Sequence, residues 1–272
     1  MLKEKSIKTL EALSIFKFLN TSQLIRVGVA KHRPNLNGAY KELLLLRMIW
    51  KLTFGVHPKL WRLQNYYYLK QKWKAFLLEH LQYREDRIKM PIGTSSMFFR
   101  DYYHRTNAID FQIELYLHIL KSWWEVLLYD TYYDHTWSTR KNSPLRAKTK
   151  LIFNDWSFFI PDAITKIRIA QTIKIFTFEI YNWIDTKRVT RQLYKHIISL
   201  QEGLPSIALN EKKGSKVLLL FDSNSCMNAV MERVSKDSIF LNFKNHLLFS
   251  DTRAMRSNFN DWLDYEKQHK EL

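Results

Sequence analysis

Two carboxylates stand where a strand reading would not place them by default. Asp162 follows Pro161 and begins one apolar run, and Glu179 stands near the end of the next, Ile175-Phe176-Thr177-Phe178-Glu179. A charged residue in such a run needs a reason, because an unpaired buried carboxylate is costly. Two acids at the ends of neighbouring strands can share a divalent cation. An acid on an upstream helix, Glu114 or Glu125, would complete the ligand set. Taken alone, the pair reads more simply: Asp162 caps a turn, and Glu179 pairs with a Lys or Arg.

Other chemistries find little support. The nine histidines, at 32, 57, 80, 104, 118, 135, 196, 246 and 269, are never closer than 14 residues, so no HxH or HExxH cluster exists. A lone His104 reads as a polar helix cap. No GxxxxGK[ST], GxGxxG or GxSxG pattern occurs, which leaves nucleotide hydrolysis and serine-esterase chemistry without a signal. The single cysteine, Cys226, excludes an internal disulfide framework and any multi-cysteine zinc site.

The charge has a direction along the chain. The formal net charge is +17 over 272 residues. Residues 1–100 hold 19 Lys and Arg against 6 Asp and Glu, and residues 101–272 hold the other 24 against 20. The excess sits in the first third, which points to a polyanion partner, since bound cations displace counterions from phosphates. No apolar run approaches a membrane span. The N-terminus lacks the apolar core of a signal peptide. These features read as a soluble cytoplasmic protein.

The first 70 residues carry a recognisable order. Leu10, Leu13, Phe16 and Leu19 lie near helical spacing, and Asn20-Thr21-Ser22 is a stop and cap signal before a short second helix, Gln23–Val29. Leu36, Tyr40, Leu43 and Leu44 define one face of a third helix. Met48–Phe54 and Lys59–Leu69 read as strands joined by Gly55-Val56-His57-Pro58. Three short helices and a β-hairpin is the order of a winged helix, whose third helix enters the major groove. Its outer face would offer Arg33, Asn37, Lys41 and Arg47, and the wing would add Lys51, Lys59 and Arg62. Asn37 can read base edges, while the cations hold phosphate.

Beyond Met90–Thr94, which reads as a boundary in composition, the spacing predicts a helix over Asn107–Tyr129 and a basic insertion over 134–150. Strands are predicted at 156–160, 163–169, 173–181, 217–222 and 239–249, with helices near 185–200 and 226–234 and in the tail from Ser257. The expected division is a winged helix over 1–80, a second domain over 100–255 and a helical tail over 256–272. The fold class is α/β (α+β).

Helix with an acid, strand, Pro-Asp hairpin, strand with Glu, helix and strand resembles the PD-(D/E)xK core of restriction endonucleases. With LNTSQLIRVGV, AYKELLLLRMIWK, YYYL, His104–Asn107, IPDAI, FEIYN and DTKRVTRQLYKHI in that order, the chain resembles the replication-relaxation family of plasmid proteins, which includes the MobC-type mobilisation relaxases. The resemblance implies a winged helix followed by a restriction-endonuclease-like mixed-sheet domain. It implies Asp162 and Glu179 as ligands of Mg²⁺ or Mn²⁺, with Glu114 or Glu125 supporting. It also implies duplex DNA at an origin of transfer, and other mobilisation proteins such as a relaxase, as partners.

One departure matters. The motif expects Lys two residues after Glu179, and Tyr181 stands there. Lys187, Arg188, Arg191 or Lys195 on the next helix would have to substitute in catalysis. Two outcomes follow: a metal-dependent DNA nickase, or a catalytically inactive DNA-binding accessory or replication-control protein. A third reading is a transcriptional regulator whose second domain senses a ligand or dimerises.

Overall fold

Asn20 shows how a short sequence signal sets the first turn of structure. Its side chain accepts the N–H of Gln23 at 2.9 Å while its own N–H donates to Gln23 Oε1 at 3.0 Å, a reciprocal capping box that starts a helix. The computed structural model describes residues 2–57, 61–79, 82, 85, 88–91, 101–136, 146–182, 184–212, 214–270 and 272. It forms two compact units, residues 1–113 and 114–272.

In the first unit, α1 (Glu4–Phe16) buries Leu10, Leu13 and Phe16. Next come β1 (Leu19–Asn20), α2 (Thr21–Arg26) and α3 (Pro34–Leu45). Pro34 lies in the first turn of α3, where its missing N–H costs nothing. The strands β2 (Ile49–Leu52), β3 (Val56–His57), β4 (Trp61–Arg62) and β5 (Tyr66–Leu69) follow. β1, β5 and β2 form an antiparallel sheet in that order, and β3 pairs with β4 as the tip of the wing. Tyr40 of α3 stacks on Tyr67 of β5 at 4.1 Å between ring centroids, fixing the third helix against the sheet. The helix and strand order is that of a winged helix. Lys59 lies outside the described residues.

After α4 (Lys72–Glu79), α5 (Tyr102–Ile119) closes the first unit, and the division between units falls inside it. The reason is polar. Asp110 of α5 accepts from Gln23 Nε2 at 2.8 Å and meets Arg26 at 3.2 Å, and Tyr66 and Thr106 hydroxyls lie 2.7 Å apart. These bonds tie residues 102–112 to the winged helix, so the unit extends past the expected limit at residue 80.

The second unit is built on a seven-stranded mixed sheet, and the α/β class holds. Its elements begin with β6 (Trp124–Thr131), β7 (His135–Thr136), β8 (Arg146–Ala147), β9 (Leu151–Ile152) and β10 (Phe158–Phe159). Then come β11 (Ala163–Ile169), β12 (Thr172–Tyr181), α6 (Thr186–Gln201), α7 (Leu204–Ala208) and β13 (Ser215–Phe221). The chain ends with α8 (Asn224–Val234), α9 (Ser238–Leu241), β14 (Leu247–Asp251), α10 (Thr252–Ser257), β15 (Trp262–Leu263) and β16 (His269–Lys270). The sheet order is β16-β15-β14-β13-β12-β11-β6. The β6, β11 and β12 meander is antiparallel, and β12, β13 and β14 run parallel. α6 and α8 pack Val189, Leu193, Ile197, Met227 and Val230 onto Val217, Leu219 and Phe221 of β13.

Three sequence expectations are corrected. The helix predicted over Asn107–Tyr129 ends at Ile119, and Trp124–Thr131 is strand β6, paired along its length with β11. The strand predicted over 239–249 is α9 and a 3₁₀ turn before β14. The tail is not helical beyond Ser257: wholly buried Trp262 begins β15, which extends the sheet. Among the described residues, no helix is long and apolar enough to cross a membrane.

Candidate nucleic-acid interface and a buried carboxylate pair

Between Glu11 and Glu79 the sequence holds twelve Lys and Arg and a single acid, Glu42. Glu42 is only half-exposed, and its carboxylate accepts the Ser6 hydroxyl. The outer face of the winged helix therefore carries a clear cationic excess. Arg33 stands at the N-cap of α3, and Asn37 and Lys41 are exposed along the helix. Arg47 is exposed in the turn after it, with φ 55° and its carbonyl accepting from Trp73 Nε1 at 2.9 Å. Lys51 on β2 and Arg62 on β4 are exposed, as is Lys31 just before α3. A face of this kind is an electrostatic footprint for phosphates.

The second unit brings Asp162 and Glu179 together. The register Ala163↔Phe178 sets residue 162 opposite residue 179, just beyond the paired end of β11. The Asp162 carboxylate accepts the N–H of Ile180 at 2.7 Å. The Asp162 N–H in turn donates to the Glu179 carboxyl group. Tyr132 N–H donates to the Asp162 carbonyl at 2.9 Å. Asp162 is 6% exposed and Glu179 5%.

Above Glu179 lies His196, from the buried face of α6, with Nε2 at 3.3 Å from Oε2. That distance suits an ion pair, yet the groups are not aligned for a hydrogen bond, and both atoms are buried without a partner. Charge assignment follows from burial. Desolvation, then the nearby Asp162, pushes the Glu179 carboxyl well above its ordinary range, against the smaller opposing pull of the Asp162 N–H and Lys195. Burial pushes His196 down to about 3. Both shifts favour the uncharged forms, so burial works against a full ion pair at this contact.

Tyr181, in place of the expected lysine, is 1% exposed and lies against Phe221 with ring centroids 4.9 Å apart. Its hydroxyl is buried without a hydrogen-bond partner, and burial, reinforced by the neighbouring Glu179 and Asp162 carboxyl groups, holds its pKa far up. It can neither neutralise a phosphate nor serve as an accessible nucleophile. Lys187 and Lys195 are exposed on α6, with Arg188 and Arg191, while Glu179 lies beneath in the interior.

Glu125 is corrected outright. It is a β6 residue opposite Arg168, with which it pairs at 2.5 Å. Arg168 stands six residues along β11 from Asp162, roughly 20 Å at strand rise, too far to share a cation. Glu114 is half-buried on α5. Among the described residues, no group of three His, Cys, Asp or Glu side chains could hold a metal ion. Mg²⁺ and Mn²⁺ want several ionised or carbonyl oxygens and retained water. Two carboxyl groups, with one Asp162 oxygen committed to the Ile180 N–H, do not supply that set.

Sequence reasoning passed over His196. Val189, Leu193, His196 and Ile197 follow i, i+4, i+7, i+8, so its place on the apolar face of α6 was readable. No protein-family model, curated protein or solved structure matches the chain.

Proposed function

We propose that this is a duplex-DNA-binding protein that grips its site through the winged helix, and that its second unit is a nuclease-like fold serving as a scaffold. The observation that carries this reading is the cationic face formed by α3, β2 and β4, on which exposed Lys and Arg outnumber the one half-exposed acid, Glu42. In mechanism, α3 enters the major groove, Asn37 meets base edges, and Arg33, Lys41, Lys51 and Arg62 hold phosphates on either side. Against metal-dependent hydrolysis in the second unit stand the lack, among the described residues, of a third ligand beside Asp162 and Glu179 and the buried tyrosine at the lysine position. This favours an accessory or replication-control role on a plasmid or integrative element, in the cytoplasm and beside a separate relaxase.

The nickase reading keeps one supporting observation, the juxtaposition of Asp162 and Glu179. One experiment separates the two. Supercoiled plasmid carrying candidate origins is incubated with the protein and Mg²⁺ or Mn²⁺, alongside a filter-binding assay on the same DNA. Retention of DNA without open-circle product supports the scaffold. Open circles that disappear with Glu179→Ala would replace it with the nickase.

A further inference from the structure

Gly38 lies in the interior of α3, where glycine weakens a helix relative to alanine. None of the usual internal reasons for a helical glycine applies. It is not among the glycines with positive φ, which are Gly28 and Gly203 among the described residues. A Cβ added to it would meet nothing within 4 Å, so no neighbouring element needs the space. It does not end the helix, which runs on to Leu45.

Its position is informative. Pro34, Gly38, Lys41 and Leu45 follow i, i+4, i+7, i+11, and all four are exposed. They form the ridge opposite the buried Leu36, Tyr40 and Leu43. The glycine is therefore the low point at the centre of the outer face, with Asn37 beside it.

We propose that Gly38 is where the backbone of α3 touches duplex DNA in the major groove, and that the missing side chain sets how deeply the helix seats. The proposal rests on the DNA-binding reading above. Charge favours a polyanion over an apolar protein surface as the occupant, because Lys41 stands at i+3 from the low point and exposed Lys31 and Arg33 lie at the start of the helix; an acidic protein surface would show itself as a failure to enrich any duplex. Deep seating brings the Asn37 amide to base edges and Leu45, 79% exposed, toward thymine methyl groups. Phosphate contacts from the cations tolerate a shallower fit. Gly38 is then a specificity-determining position more than an affinity one.

The test uses the full chain, a duplex enriched from a randomised pool by the wild-type protein, and an unrelated duplex of equal length. Gly38→Ala should raise the melting temperature, as expected for an exposed helix interior, yet weaken the enriched duplex about tenfold or more. Gly38→Leu should weaken it further, with binding to the unrelated duplex changed about threefold at most. A Gly38→Ala protein that melts higher and binds the enriched duplex like wild type overturns the proposal while leaving DNA binding intact. One that melts lower overturns it also, by giving the glycine a role in the fold. If the wild type enriches no duplex at all, the DNA-binding reading itself falls.

Discussion

Glu179 Oε2 and His196 Nε2 face each other at 3.3 Å between β12 and α6, and neither completes a hydrogen bond. Burial favours the uncharged form of each, and the two shifts act on stability in opposite senses. His196 titrates near its ordinary 6.5 when unfolded but at about 3 when folded. The unfolded chain therefore takes up a proton in that window, and stability falls with acid by up to about 1.4 kcal/mol per pH unit. Glu179 is raised above its ordinary 4.5, so the folded chain holds the extra proton and stability falls as pH rises from there toward the folded value.

The two slopes oppose one another where their windows overlap above 4.5, and below 4.5 the histidine acts alone. Thermal unfolding followed against pH should show that Glu179→Gln removes the fall in stability that wild type undergoes as pH rises through the folded value of Glu179, with the acid limb unchanged. Its amide can also donate to His196 Nε2. An alkaline limb identical in both proteins would mean that Glu179 is already ionised.

The incomplete donor set around Asp162 and Glu179 predicts metal behaviour. Calorimetric titration with Mn²⁺ at neutral pH should give no saturable heat for wild type or for Asp162→Asn. Asparagine keeps an acceptor for the Ile180 N–H, so this variant isolates charge from turn structure. Saturable binding that Asp162→Asn abolishes would restore the carboxylates as ligands.

How much of this was readable in advance differs by element. α3 was legible because Leu36, Tyr40 and Leu43 repeat on one face and are buried there, although Leu44 proves 37% exposed. Residues 107–129 misled because β6 continues the apolar composition of α5, and the break at Lys121-Ser122 carries no Gly or Pro. Only pairing with β11 decides that Trp124–Thr131 is strand, and pairing is non-local. The meeting of Asp162 with Glu179 was legible from their places at facing strand ends. Their protonation was not, because it depends on α6 lying over the pair.

Asp110 makes the strongest claim on the stability of the first unit. It is 6% exposed and receives Gln23 Nε2 while pairing with Arg26. Asp110→Ala should destabilise the unit by about 1–3 kcal/mol, because it strands the buried Gln23 amide, while Arg26 keeps its bond to the residue 110 carbonyl. Chemical denaturation should show a lower midpoint with an unchanged slope. A loss under about 0.5 kcal/mol would mean that water replaces the carboxylate at no cost.

The salt dependence of DNA affinity tests the interface cation by cation. Exposed Lys31, Arg33, Lys41, Arg47, Lys51 and Arg62 could each neutralise one phosphate. Counterion release then gives a slope of log K against log salt of about −5 for full engagement. Lys41→Ala and Arg62→Ala should each make the slope shallower by about one unit and weaken all duplexes alike. Lys236, exposed in the second unit and paired with Glu232 at 2.7 Å, serves as the control, and Lys236→Ala should leave the slope unchanged. Equal effects from all three would mean that the net charge of the chain attracts DNA and the winged helix does not grip it.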